Sequence, residues 1–140
     1  MLPLTVCAAF VALALWHFKM AFHASLIGES SAVPSVGGKP LFVPSRGATI
    51  AVGVVLLLFA VLVAGTAGLV SLWLPRPVLA WLSYALALGL LVRAVGDFRY
   101  VGFFKRVRGS PFAGMDTFVY SPLCIALSIG VALVARQNGA

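Results

Sequence analysis

Charge is what this chain has least of. Asp, Glu, Lys and Arg make up 9 % of its 140 residues, whereas soluble domains carry about 25 %. Acids are scarcest, with Glu29, Asp97 and Asp116 the three carboxylates. There are two histidines, His17 and His23, and their spacing points them in different directions on a helix. A haem held between histidines, an H-E-x-x-H protease or a zinc cluster needs partners that this count does not supply. Hydrogen-bonding or interfacial roles are expected of both. The two cysteines, Cys7 and Cys124, form no C-x-x-C pair, which argues against thiol-redox chemistry. Their depths in the topology below differ by about 10 Å at 1.5 Å per residue, too far for a disulfide. Phosphate-binding loops and nucleophile–base signatures are also missing.

Hydrocarbon is plentiful. Apolar residues are 62 % of the chain, against about 45–50 % in soluble domains. A soluble fold of this length could not bury so much apolar surface, so lipid is the expected solvent. The formal net charge is +7, but the basic residues sit beside apolar runs. That placement reads as membrane topology and attraction to anionic headgroups, not as nucleic-acid binding. The first apolar run lacks the basic start and small-residue cleavage site of a secretory signal and is expected to be retained as a span.

These features predict an all-α fold: one integral membrane domain over residues 1–140, a four-transmembrane-helix bundle with an interfacial amphipathic segment between helices 3 and 4. The spans are expected at about 2–22, 47–74, 78–98 and 117–135. Trp16, Phe18, Lys19 and Phe22 anchor the end of the first at the interface. A polar loop over 24–46 follows, stiffened by Pro34, Pro40 and Pro44, with a turn at Gly37–Gly38 and an apolar Leu41–Phe42–Val43 that can dip into the interface. The second span carries small residues at Ala60, Ala64 and Gly68, a stripe for close helix packing. Trp81, Ala85, Gly89, Arg93 and Asp97 recur every four residues on the third, which lets Arg93 pair with Asp97. From Arg99 to Arg108, Tyr100, Phe103, Phe104 and Val107 share one helical side, the pattern of an interfacial helix. Asp116 is placed to cap the fourth span, and Pro122 should bend it and free the carbonyl of Phe118.

Seven basic residues (Lys19, Lys39, Arg46, Arg99, Lys105, Arg106 and Arg108) fall in the first and third loops, against Arg76 and Arg136 on the other side. That bias puts the long loops in the cytoplasm and both termini outside. Ionisable groups near a span carry a functional hypothesis by default. Arg93, Asp97, Arg99, Asp116 and Tyr120 are the candidate ligand-binding residues; Lys105, Arg106 and Arg108 are candidate contacts for lipid headgroups. No metal site is expected, and no cofactor is specified.

The block Arg93 to Cys124 also carries a resemblance. R-A-V-G-D-F-R-Y-V-G-F-F-K-R at 93–106, F-A at 112–113, Asp116 and Y-S-P-L-C at 120–124, with Val33–Pro34 and K-P-L-F-V-P at 39–44, resemble a bacterial family of small four-helix integral membrane proteins catalogued as a domain of unknown function. The resemblance implies the four-span topology and the bacterial cytoplasmic (inner) membrane. It brings no activity. Three readings therefore stand: binding or passage of a small or lipidic, possibly anionic, ligand near the cytoplasmic face; a structural or accessory subunit of a larger membrane complex, or a homodimer; and an enzyme acting on a lipid or quinone-like substrate with Asp, Tyr and Arg as its polar groups.

Overall fold

The computed structural model describes residues 1–23 and 32–138. Glu29, the acid of the first loop, lies outside them. Helix α1 spans Leu2–Phe22, with Pro3 in its first turn, where a missing N–H costs nothing. Helix α2 spans Arg46–Thr66; Ser45 caps it by accepting from the Ala48 N–H at 3.1 Å. Helix α3 spans Arg76–Val95 and again opens with proline in its first turn. A last rod, Pro111–Asn138, consists of α4 (Pro111–Met115), a π-helical turn (Asp116–Tyr120) and α5 (Ser121–Asn138).

All four rods are long and apolar enough to cross a membrane. Their outward faces are hydrocarbon: Leu15, Leu58, Leu88 and Ile129 are each more than half exposed. Helices apolar all round suit lipid, not water. The chain is thus a multipass membrane protein built as a helix bundle.

Small residues and buried hydroxyls set the packing. Phe18 fills the space where Gly53 has no side chain, so α1 and α2 pack antiparallel at close range. Phe10 meets Phe59 edge-on at 5.8 Å, and the Cys7 thiol donates to the Ala60 carbonyl at 3.4 Å. Ser128 Oγ donates to the Ala87 carbonyl at 2.7 Å, joining α5 to α3. Thr66 Oγ1 and Ser83 Oγ meet at 2.8 Å between α2 and α3. The centre is a cluster of Val6, Phe10, Ala60, Val63, Leu86, Leu127 and Val131 with their neighbours.

Several boundaries differ from the sequence expectation, each for a local reason. The first span matches at 2–22. The second ends at Thr66 and not near 74, because Gly68 adopts φ +72 and closes the helix: Leu69 N–H bonds the Ala64 carbonyl at 2.9 Å and Gly68 N–H that of Gly65 at 3.0 Å. This is a Schellman C-cap, so Gly68 is a stop signal and no part of a packing stripe. The third span runs 76–95, stopped by Gly96 at φ +93. The fourth begins at Pro111 and not 117. Its cap is Ser110, which accepts from the Ala113 N–H at 3.1 Å, and Asp116 lies inside the rod. Pro122 cannot bond the Phe118 carbonyl. The ladder widens just before it, with Ser121 N–H reaching back to the Asp116 carbonyl.

The first loop holds a minimal hairpin, β1 (Ser35–Val36) against β2 (Lys39–Pro40), turned by Gly37 and Gly38, both at positive φ. Leu41, Phe42 and Val43 are exposed after it. The segment 99–108 is not a helix. Gly96 and Gly102, both at positive φ, cross so closely that a Cβ on either would strike the backbone of the other strand of the loop. Phe103 N–H then bonds the Ala94 carbonyl at 2.9 Å and Val107 N–H that of Arg99 at 2.9 Å. The amphipathic spacing is real, but these glycines and a buried lysine fold the segment back on the bundle.

Candidate functional site

The polar centre lies where α3 ends and the last rod begins. Asp116, fully buried, is its hub. Oδ1 accepts from Arg93 Nη2 at 2.9 Å and from Ser121 Oγ at 3.4 Å. Oδ2 accepts from the Gly102 N–H at 2.6 Å and from Lys105 Nζ at 3.1 Å. Four donors converge on the acceptor positions of this carboxylate, which makes Asp116 the tie between α3, the loop and the last rod.

Lys105 is as buried as its partner, its side chain 1 % exposed. Its ammonium also donates to Thr117 Oγ1 at 2.7 Å and to the Gly102 carbonyl at 3.0 Å. Three donors, three acceptors: the buried cation is fully satisfied. This corrects the assignment of Lys105 to lipid headgroups. Arg106 and Arg108 do remain exposed, though Arg108 also bonds the Lys105 carbonyl through Nε at 3.1 Å.

Arg93 does not pair with Asp97. Helix α3 stops at Val95, which takes Asp97 off the helical face, and Asp116 supplies the carboxylate in its place. Asp97 turns into its own loop, where Oδ1 accepts the N–H groups of Arg99 (2.9 Å), Tyr100 (2.7 Å) and Val101 (3.0 Å). These bonds, that from Tyr100 foremost, hold its carboxyl below the usual carboxylate range and outweigh its desolvation. Arg99 is exposed and stacks over the Tyr100 ring at 5.1 Å. Of the five expected ligand-binding residues, Arg93, Asp116 and Tyr120 are brought together; Asp97 and Arg99 belong to the loop.

A cavity of about 450 Å³ opens beside Arg93. Tyr120, Phe112 and Cys124 line it from the last rod, Trp16 and His17 from α1, and Leu56 from α2. The Phe112 and Tyr120 rings are 6.0 Å apart. His17 Nδ1 lies 2.7 Å from the Leu13 carbonyl. A carbonyl only accepts, so Nδ1 carries a proton and donates to it. His17 joins the site without any metal partner, and no group of three metal-ligating side chains occurs among the described residues.

One donor is left over. Arg93 Nη1 has almost no accessible surface and no hydrogen-bond partner among the described residues, although the side chain as a whole is 36 % exposed. An unmade bond of this kind costs about 1–3 kcal/mol, more for a charged group. A larger cavity, about 790 Å³, lies between α2 and α3, but its walls, such as Leu58, Leu62, Leu79 and Gly89, are hydrocarbon throughout. It offers nothing to orient a ligand, and acyl chains of the bilayer suffice to fill it.

Sequence reasoning missed Lys105, Thr117, Ser121 and His17 as members of this centre. Lys105 shares its amphipathic run with the exposed Arg106 and Arg108, so its spacing did not single it out. For the two hydroxyls there was no signal, since each reaches its partner only through the tertiary fold.

No curated protein and no solved structure matches this chain. A family model does, over residues 10–131: Protein of unknown function (DUF3995). That match covers most of the chain, including all the residues of the polar centre and its cavity, and the protein therefore belongs to the DUF3995 family.

Proposed function

We propose that this protein binds a small amphipathic ligand in the cavity beside Arg93, at the cytoplasmic side of a bacterial inner membrane. The observation that carries the reading is Arg93 Nη1, without a partner among the described residues, on a residue that lines a mostly apolar cavity. Binding sites commonly join apolar walls to a few placed polar groups, and this volume lies in their usual range of about 300–1,000 Å³. The orientation rests on the basic bias: Lys19, Lys39, Arg46, Arg99, Lys105, Arg106 and Arg108 gather at the end that holds the cavity, and Arg76 and Arg136 at the other. Cation–aromatic pairs, Lys19 over Trp16 at 5.4 Å and Arg46 over Phe22 at 4.6 Å, suit an interface at that level.

A second reading, a non-catalytic subunit of a larger complex, draws on a different observation. Asp116, Lys105 and Asp97 direct their charges at holding the loop, which is what a scaffold needs.

Native mass spectrometry of protein released gently from its own membrane separates the two. Binding gives a co-purifying small mass that is lost when Val52→Trp fills the cavity wall. A hetero-complex with no small mass, unaffected by Val52→Trp, sinks the ligand reading and favours the subunit.

A further inference from the structure

We infer that the ligand is a single-chain lipid carboxylate, a fatty-acid-like monoanion whose head sits at Arg93 and whose chain lies along the apolar cavity wall. The inference rests on the binding reading above and adds the sign and size of the head group.

Charge counting leads there. Among the described residues the centre holds two cations, Arg93 and Lys105, on one carboxylate, Asp116, a surplus of one positive charge. Asp97, the remaining acid among the described residues, is turned into its own loop and is held by three backbone N–H groups. Lys105 and Asp116 are buried, whereas the Arg93 side chain is 36 % exposed, so Arg93 is the cation that a counter-ion can still reach. Lys105 has its three acceptors, so the unmet demand is at Arg93, whose fork uses Nη2 on Asp116 and leaves Nη1 unpaired. A guanidinium with one arm on a carboxylate and one idle is suited to a second carboxylate.

The size of the charge discriminates further. A phosphate monoester brings about −1.5 to −2 charges near neutral pH, more than the surplus of one. A monoanion matches it, and a carboxylate is the one whose flat pair of oxygens can lie in the plane of the guanidinium fork. The rest of the cavity selects the body of the ligand: Leu13, Trp16, Met20, Val52, Leu56 and Phe112 present hydrocarbon, which rewards an acyl chain by about 0.8 kcal/mol per buried CH₂. Arg93 is the cation in that lining and therefore the residue that sets head-group specificity.

The test uses full-length protein, delipidated in non-ionic detergent above the pKa of the fatty acid, with labelled palmitate and hexadecanol as probes. Palmitate is expected to bind about tenfold more tightly than hexadecanol, the worth of one charge-assisted bond. Arg93→Lys keeps a cation for Asp116 but removes the idle arm; it is expected to erase that preference while leaving hexadecanol binding in place. Should Arg93→Lys prove unstable, Val52→Trp provides the second variant and is expected to abolish binding of both probes. Equal binding of the two probes by the wild type overturns the carboxylate inference and leaves the cavity reading standing. Binding of neither overturns both.

Discussion

Two of the connections that turn the chain back across the bundle are built on opposite principles. Between Thr66 and Arg76 the turn is closed without any charge. Gly68 supplies the left-handed residue, Leu69 and Gly68 N–H groups cap the end of α2, and Leu72 lies in the space that Gly65 leaves open. Residues 67–75 contain no charged side chain. Between Val95 and Pro111 the loop is held by buried charge: Gly102 and Lys105 both reach Asp116, and Asp97 gathers three N–H groups. Buried ion pairs are a poor way to gain stability, because desolvation consumes most of the Coulomb attraction. A turn that needs only geometry uses glycine. The expensive solution appears at the end where the cavity and the unpaired arginine nitrogen are, and its effect is to fix Arg93 in place from below.

The strongest way to break this contrast is Asp116→Asn. The shape survives, but Arg93 and Lys105 lose the anion that both depend on. Leaving buried charge uncompensated costs about 3–5 kcal/mol, read as a lowered denaturation midpoint in detergent. A loss below about 1 kcal/mol would mean that the cluster is as well solvated as a surface pair, and the contrast with the α2–α3 turn would disappear.

Glycine substitution sharpens it next. Gly96 and Gly68 share a positive φ, but a Cβ at Gly96 meets the Val101 carbonyl, while one at Gly68 meets nothing within 4 Å. Gly68→Ala should cost about 1–2 kcal/mol, the left-handed strain alone. Gly96→Ala adds overpacking of about 1–3 kcal/mol to the same strain. The difference between the two thermal midpoints measures how tightly the charged loop crosses itself. Equal shifts would say that the crossing is loose.

The unequal legibility of the chain follows from the same contrast. The helices could be read because their causes are local: an apolar run long enough to span, and Pro122 disturbing a ladder. Gly68 carried a readable stop signal that its place in a four-residue repeat of small residues concealed. Around Arg93 the local rules gave the wrong partner. Spacing of four offered Asp97, and only the tertiary path of the loop, through Gly96 and Gly102, brings Asp116 to the guanidinium instead. The amphipathic period of 99–108 likewise described which side chains are apolar, not whether the backbone would be helical, because two crossing glycines outweigh a propensity of a few tenths of a kcal/mol per residue. Arg93, Asp116 and Tyr120 were identifiable as rare polar groups in hydrocarbon; Lys105 looked like a headgroup anchor because nothing nearby in sequence revealed a buried acceptor.

Asp97 marks the mild end of the charged loop, since it works from an exposed position. Its carboxyl is held below the usual range by the N–H groups of Tyr100, Arg99 and Val101, whereas in the unfolded chain it titrates near about 3.9. A depressed folded value means the stabilisation is complete above the unfolded pKa and is lost as pH falls through the folded one. Hydrogen exchange is the appropriate measurement, because local opening of the loop need not unfold the bundle. Protection at the amides of residues 99–101, corrected for intrinsic exchange, should therefore fall on acidification below the unfolded value in the wild type. In Asp97→Asn it should be lower at neutral pH and indifferent to acid, since a neutral amide oxygen still accepts but without charge assistance. The global midpoint should stay within about 0.5 kcal/mol, as for other exposed substitutions. Matching protection in the two proteins across that pH range would show that backbone geometry alone holds the first turn of this loop, and charge would then be needed only at Asp116.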